Sequence, residues 1–477
     1  MILHFYFLAL MAGKKAYGKE QKAIQRMNEF KNEFNFSANK TLFCNFCSEE
    51  VNPDRKSTVE NHLKSKKHVR AKMNTVHPDN EQQFFGGVKS EFLYKLISAF
   101  TSTDMPIKKA RNKEMKELFE YMKFPLPCES TLRNYITEKY AIDIQKKVKN
   151  YFKNDEIFIL CDESSIKKGK YFNIFAGKIK EPSIIYLLEV HPLDTNPSSE
   201  LCLTKLFLTL EKYNIKHEQV KLFLSDAASY MVTMGNMMKK AIPDLFHVFC
   251  LAHLIHNCAV NLKSFYTKTD NLIKTMKRIT IKNSNNQILF DEIGPLPQVI
   301  VTRWNSWLKA AIFYSEKLIE IRNLSHKIDN TGIQSDNAIK ALYADGLVEE
   351  FIEIKRCYEN LTSIMENFED DKYNLESAYE AINSLEFIKD PVKIKPYLEK
   401  RLDKNDARKI INLQNKNISP LLYSNLLNCP GTTIVVERSF SMLKNMLRDD
   451  RNFSDKNVNA YFLSYYNTRA GINEECL

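Results

Sequence analysis

The sequence predicts an α/β protein: a mixed β-sheet packed by helices, interrupted by an α-helical insertion and preceded by a small Cys/His unit and a helical segment. Three observations carry that expectation. Ile157–Leu160, Tyr171–Phe175 and Ile184–Val190 are short β-branched or aromatic runs with no helical pattern between them, and read as three strands in meander. Strand-like Val220–Leu224 and Phe246–Phe249 then alternate with helical stretches at about 199–213, from Ser229 and over Leu251–Leu262, as expected of strands covered by helices. Residues 308–420 return to a charged helical pattern rich in Glu, Lys, Asn and Leu.

The remaining segments follow in order. Residues 1–13 are apolar but lack the positive start of a signal peptide, and 1–10 read as a gene-model extension with Met11 the true start. Residues 1–35 as a whole read as a flexible segment and 36–75 as the Cys/His unit. Over 76–150 the chain is basic and helical, with Leu132, Tyr135, Ile136, Tyr140, Ile144 and Val148 on one face. Residues 151–307 hold the first part of the sheet domain and 308–420 the insertion. Segment 421–477 supplies a last core helix, in which Val436, Phe440, Leu443 and Leu447 form a stripe after a break at Asn428–Gly431.

Charge is distributed unevenly. The 477 residues carry 69 Lys/Arg and 58 Asp/Glu, a net of +11, yet residues 1–150 hold 27 and 17 of these and the remainder 42 and 41. A basic first third points to a polyanionic partner. Twelve Gly and 15 Pro exclude a collagen-like or low-complexity chain. Ten scattered cysteines with one close pair, Cys44 and Cys47, suggest intracellular thiols and a local metal site instead of a disulfide scaffold. No apolar run reaches the ~18–20 residues of a membrane helix, so no membrane partner is expected.

Cys44-x2-Cys47-x14-His62-x5-His68 places two thiols and two imidazoles at finger-like spacing. Zn²⁺ takes tetrahedral N/S ligands, and a tight Cys-x2-Cys turn facing a helix that bears both His meets that need. The same helix carries Lys64, Lys66, Lys67, Arg70 and Lys72, cations suited to the phosphates or base edges of double-stranded DNA. Thr41–Cys47, Arg55–Ser57 and Asn61–His68 resemble a BED-type zinc finger, most closely that of the CGG triplet-repeat-binding proteins. The resemblance implies DNA binding and residence in the nucleus.

Two apolar strands are followed by an acid, Asp162 after Ile157–Leu160 and Asp226 after Val220–Leu224. Were those strands neighbours, the two carboxylates would share hard cations such as Mg²⁺ at the carboxyl ends of the sheet. The plainer alternatives are a turn residue for Asp162 and a helix cap for Asp226. Glu437 sits at the edge of the last helix's apolar stripe, where an exposed Glu is ordinary.

Asp162–Ser165, Ser225–Met231, Cys250–His253, Thr302–Ser306 and Val436–Ser441 occur in the order found in hAT-superfamily transposases, which the chain resembles over about 130–470. That resemblance implies an RNase H-like fold and an acidic catalytic triad, Asp162, Asp226 and Glu437, holding catalytic Mg²⁺ or Mn²⁺. It also implies a Cys-x2-His motif at Cys250 and His253, and an Arg303–Trp304 pair contacting DNA, although Trp304 taken alone reads as a core residue. His247, Cys250, His253 and His256 at three-residue spacing on a helix drift by about 60° per step, so packing is favoured over a second zinc site. Tyr461–Tyr466 fits the family's dimerisation segment loosely, and the insertion is short. The expectation is a DNA transposase or a derived protein acting as a homodimer or higher oligomer. The alternative is a domesticated, non-catalytic DNA-binding regulator.

Overall fold

The computed structural model describes residues 21–31, 33–36, 41–47, 49–76, 84–85, 88–124, 126–166, 169–282, 284–291, 293–297, 299, 306–328, 332–370, 373–384, 405–412, 418–448 and 455–472, with Gly18, Glu399, Arg401 and Phe453. It divides into two compact units, residues 1–97 with 107–135, and 98–106 with 136–477.

The first unit is built around an antiparallel sheet, β1 (Phe34–Phe36), β2 (Leu42–Cys44) and β3 (Glu50–Val51), in that order. Two helices follow, α1 (Lys56–Lys64) and α2 (Lys66–Val76). Ala23, Phe34, Leu42, Cys44, Val51 and Val59 form the core, with Met27, Phe30, Phe46 and Leu63 packed against it. Residues 21–29 are helical. The folded unit therefore takes in part of the segment expected to be flexible. Ala23, Met27 and Phe30 recur at helical spacing, and that stripe gives the lead-in a face to bury.

The second unit carries a five-stranded mixed sheet made of β4 (Ile157–Ile166), β5 (Gly169–Lys178), β6 (Glu181–Leu193), β7 (Val220–Ser225) and β8 (Phe246–Phe249). The spatial order is β8-β7-β4-β5-β6. Strands β4, β5 and β6 form the expected antiparallel meander, whereas β7 and β8 join parallel to β4. Between them run α3 (Ser199–Lys212) and α4 (Ser229–Ala241). Pairing of β4 with β5 continues from Asp162↔Asn173 to Ile166↔Gly169, so Asp162 lies inside its strand and not beyond it.

The helical array begins before the expected boundary at 308. After α5 (Leu251–Leu262), α6 (Thr267–Lys282) already packs on α8 (Ile333–Leu342), and α7 (Ser306–Glu316) packs on α9 (Leu347–Glu369). Leu272, Ile273, Met276 and Ile279 are the buried stripe that commits α6 to this layer. The chain then returns to the sheet through α10 (Ile434–Met446) and α11 (Asp455–Arg469), helices packed on β4 and β6 respectively.

At both sheet edges, side chains pair with backbone groups. On β6, Asn467 accepts from Leu187 N–H at 2.8 Å and donates to Leu187 C=O at 2.8 Å, while Asn459 accepts from Val190 N–H at 2.9 Å. On β8, Asn405 accepts from Phe249 N–H and donates to Phe249 C=O, each at 3.2 Å. Asp406 accepts from His247 N–H at 2.8 Å, and its own N–H donates to His247 C=O at 3.1 Å. Tyr461, Phe462, Leu463 and Tyr465 are buried within this unit. The helix that holds them packs on β6 and on residues 136–151.

Candidate metal centre and acidic cluster

Cys44 closes β2 and Cys47 follows in the turn, whose backbone folds back so that Cys47 N–H points at Cys44 Sγ, 3.4 Å away. The two His do not share one helix. α1 ends at Ser65, which is extended at ψ 143°, and Ser65 Oγ accepts from His68 N–H at 3.2 Å to start α2. Serine as an N-cap is the local signal for that break. His62 thus comes from α1 and His68 from α2.

The ligand atoms of Cys44, Cys47, His62 and His68 lie within 4.8 Å of one another. His68 Nδ1 is 3.3 Å from Cys44 Sγ and 3.6 Å from Cys47 Sγ. Tetrahedral zinc with Zn–S of ~2.3 Å and Zn–N of ~2.05 Å has S···N edges of about 3.6 Å. His62 Nε2 is buried and has no hydrogen-bond partner, as a nitrogen reserved for a metal would be. Burial, then the neighbouring His68, lowers the His62 pKa and favours the neutral, ligating form. Burial and the Cys44 sulfur push the Cys47 thiol up to about 11, so Cys47 ionises readily only against a cation. The residues fit Zn²⁺ in a closed, four-protein-ligand site.

The expected DNA-contacting cations divide. Lys64 and Lys66 are exposed. Lys67 is paired with Glu49, and Lys72 with Glu33 while also lying 5.6 Å from the Phe46 ring centroid. The Arg70 side chain, and Arg303 and Trp304 altogether, lie outside the described residues.

In the second unit, β4 and β7 are parallel neighbours, as sharing of cations by Asp162 and Asp226 requires. Asp162 is buried and accepts from Glu163 N–H at 2.7 Å. Asp226 Oδ1 accepts from Ala228 N–H at 3.2 Å in the turn before α4, whose N-cap is Ala228, so Asp226 does not cap that helix. Glu437, in the first turn of α10, pairs with His253 Nε2 at 3.1 Å and hydrogen-bonds Asp162. Residues far apart in sequence set this meeting. Asn173, the cross-strand partner of Asp162, donates to Ser439 Oγ at 3.0 Å, and Thr433 N–H donates to Cys250 Sγ at 3.2 Å. Burial, then the Glu437 and Asp226 charges, raise Asp162 well above the usual carboxylate range. Burial raises Asp226 as well. Burial also works to raise Glu437, but the His253 hydrogen bond and charge hold it below its usual value. Against its own desolvation, His253 is pushed up to about 12 by Cys250 and the carboxylates. His247 is on β8 and bonds Ser225 Oγ at 2.8 Å. The four residues at three-residue spacing therefore do not even share a helix. Among the described residues, the finger quartet is the one group whose ligand atoms all close within 4.8 Å.

Compared with known proteins, residues 22–74 match the family model of the CGGBP1 N-terminal domain. That stretch takes in the helical lead-in, the three strands β1–β3, α1 and most of α2. No curated protein matches the chain. Among the described residues, no helix is long and apolar enough to cross a membrane.

Proposed function

We propose that this is a nuclear, zinc-dependent DNA-binding protein that contacts duplex DNA through its N-terminal unit and acts as a regulator. The observation that carries the reading is the Cys44–Cys47–His62–His68 quartet, whose ligand atoms lie within 4.8 Å of one another, inside a segment that matches the CGGBP1 N-terminal domain. Four protein ligands leave no open position, so zinc there would hold β2, α1 and α2 together and perform no catalysis. Lys64 and Lys66 on the rim are placed to meet phosphates. The Lys67–Glu49 pair is exposed, and such pairs hold their partners weakly, so phosphate can displace Glu49.

The test is binding of full-length protein to duplex DNA across a salt series, with and without a zinc chelator. Chelation should abolish binding. Replacing both Lys64 and Lys66 by Ala should reduce the salt slope by about 0.9 for each phosphate no longer neutralised. Binding indifferent to chelation would refute the reading.

A second reading has its own support: Asp162, Asp226 and Glu437 converge around His253 in an order similar to hAT transposases. On it, the second unit is an RNase H-like core that cuts and joins DNA strands and works as a dimer or higher oligomer. Mg²⁺ or Mn²⁺ held by the three carboxylates would supply Lewis acidity toward a phosphodiester oxygen. The chain's own part is to bring Glu437 to Asp162, through Asn173–Ser439, and to hold its carboxylate at His253. This reading ranks second because the family match covers residues 22–74 and not these carboxylates. Metal-dependent nicking of DNA from the ends flanking the gene, lost in Glu437→Gln, would establish it; no nicking under either metal would exclude it.

A further inference from the structure

We infer that Glu33 is a fifth, outer member of the metal centre: it accepts the Nε2–H of His68 and so fixes the tautomer that turns Nδ1 toward the metal. The inference rests on the zinc reading above and adds a residue that the Cys/His spacing does not contain.

The two nitrogens of His68 face different partners. Nδ1 lies 3.3 Å and 3.6 Å from the two cysteine sulfurs, whereas Nε2 lies 3.0 Å from Glu33 Oε2. His68 is buried, and the Glu33 side chain is largely covered. A ring flip would turn Nε2 toward the sulfurs and leave the carboxylate without its donor. The other Glu33 oxygen is taken by the Lys72 ammonium, from the residue one turn after His68 on the same face of α2. Glu33 immediately precedes β1, and its carbonyl accepts from Asn45 N–H at 3.0 Å, inside the Cys44–Cys47 turn. Backbone and side chain of one residue thus brace both the thiol turn and the second imidazole. A carboxylate behind a metal-bound His orients the ring and raises its basicity, and losing it typically weakens metal binding 10–100-fold. His62 differs, because its buried Nε2 has no protein partner and is the nitrogen offered to the metal. The centre is therefore mixed, with Nδ1 from His68 and Nε2 from His62.

The experiment uses the full-length protein and zinc itself. Affinity is read by competition with a chromophoric chelator for wild type, Glu33→Ala, Glu33→Gln and Cys44→Ser. Histidine tautomers are read from long-range ¹⁵N–¹H correlations of ¹⁵N-His-labelled, zinc-loaded protein. Glu33→Ala should bind zinc about 10–100-fold more weakly. Glu33→Gln keeps an acceptor oxygen and should fall between Glu33→Ala and wild type, with the His68 tautomer unchanged. In wild type, His68 should carry its proton on Nε2, and in Glu33→Ala that proton should exchange faster with solvent. A His68 metallated at Nε2, or a Glu33→Ala protein as tight as wild type, overturns this proposal and leaves the zinc reading standing. Wild type that binds zinc no better than Cys44→Ser overturns both.

Discussion

Removing the metal should unfold the finger and leave the five-stranded sheet intact. The finger core has four large, nearly inaccessible apolar side chains, Phe34, Leu42, Val51 and Val59. At about 1.5–3 kcal/mol each, they contribute about 6–12 kcal/mol. A structural zinc site contributes about 10–16 kcal/mol near neutral pH, comparable to or more than the whole apolar core, and decides whether the unit folds. The sheet has no such dependence, since Phe158, Phe172, Phe175 and Phe223 are all fully buried in its core. Hydrogen exchange of full-length protein, with and without chelator, separates the two. The N–H groups of Cys44 and Asn45, bonded to Glu49 and Glu33 carbonyls, should lose protection. Those of Leu160 and Leu224, in the β4–β7 ladder, should keep it. Cys44→Ser should show the same pattern without chelator. Finger amides that stay protected after metal removal would refute the reasoning, as would protection lost throughout the chain.

Three further outcomes follow from the second unit. Asn467→Leu strips both partners from Leu187, and two buried polar groups left unpaired at about 1–3 kcal/mol each should lower the urea midpoint clearly; an unchanged midpoint would mean that the edge is satisfied some other way. Acid should destabilise the fold well above the carboxylate range. Burial, then the Lys239 charge, holds His247 at about 3, and burial holds His191 at about 4, whereas an unfolded His titrates near ~6.5. The unfolded chain takes up these protons first, so their stabilisation is complete above pH ~6.5 and is lost as pH falls toward the folded values. Replacing both His should flatten that limb of a stability–pH curve, and a limb of unchanged slope would exclude them as its source. Gly235→Ala should lower the melting temperature, because a Cβ there would lie 2.0 Å from His247 Nδ1, and a neutral result would require His247 to move freely.

What the sequence revealed depended on how far apart the cooperating residues lie. The zinc quartet was legible because its four ligands fall within 25 residues, and the strands because alternation and β-branching are local. The Asp162–Asp226 neighbourhood followed from two similar apolar runs pairing in parallel. Glu437 left no trace in the periodicity: its position depends on Asn173 meeting Ser439 across 266 residues. Glu33 was missed for a related reason. It precedes the first cysteine of the motif, and a lone Glu in a Lys-rich stretch looks like solvated charge. The pairing that withdraws Lys67 and Lys72 was equally silent, since a Lys on a helix reads the same whether it faces phosphate or a Glu from another turn.

The C-terminal helix is instructive in a different way. Tyr461–Tyr466 suggested a surface for a partner, yet these six residues are nearly all apolar, and such a run also packs into a core. That is where Phe462 and Leu463 are found. The same helix carries Asn467 and Asn459, whose amides occupy the edge of β6, while Asn405 and Asp406 occupy both groups of His247 and Phe249 on β8. Edge strands offer a second copy its simplest route to association, by continuing the ladder. Here Leu187 and Val190 on β6, and His247 and Phe249 on β8, already have side-chain or backbone partners within the chain. A second copy could continue the ladder at these positions only by displacing those side chains, and disrupting Asn467 would expose part of the β6 edge.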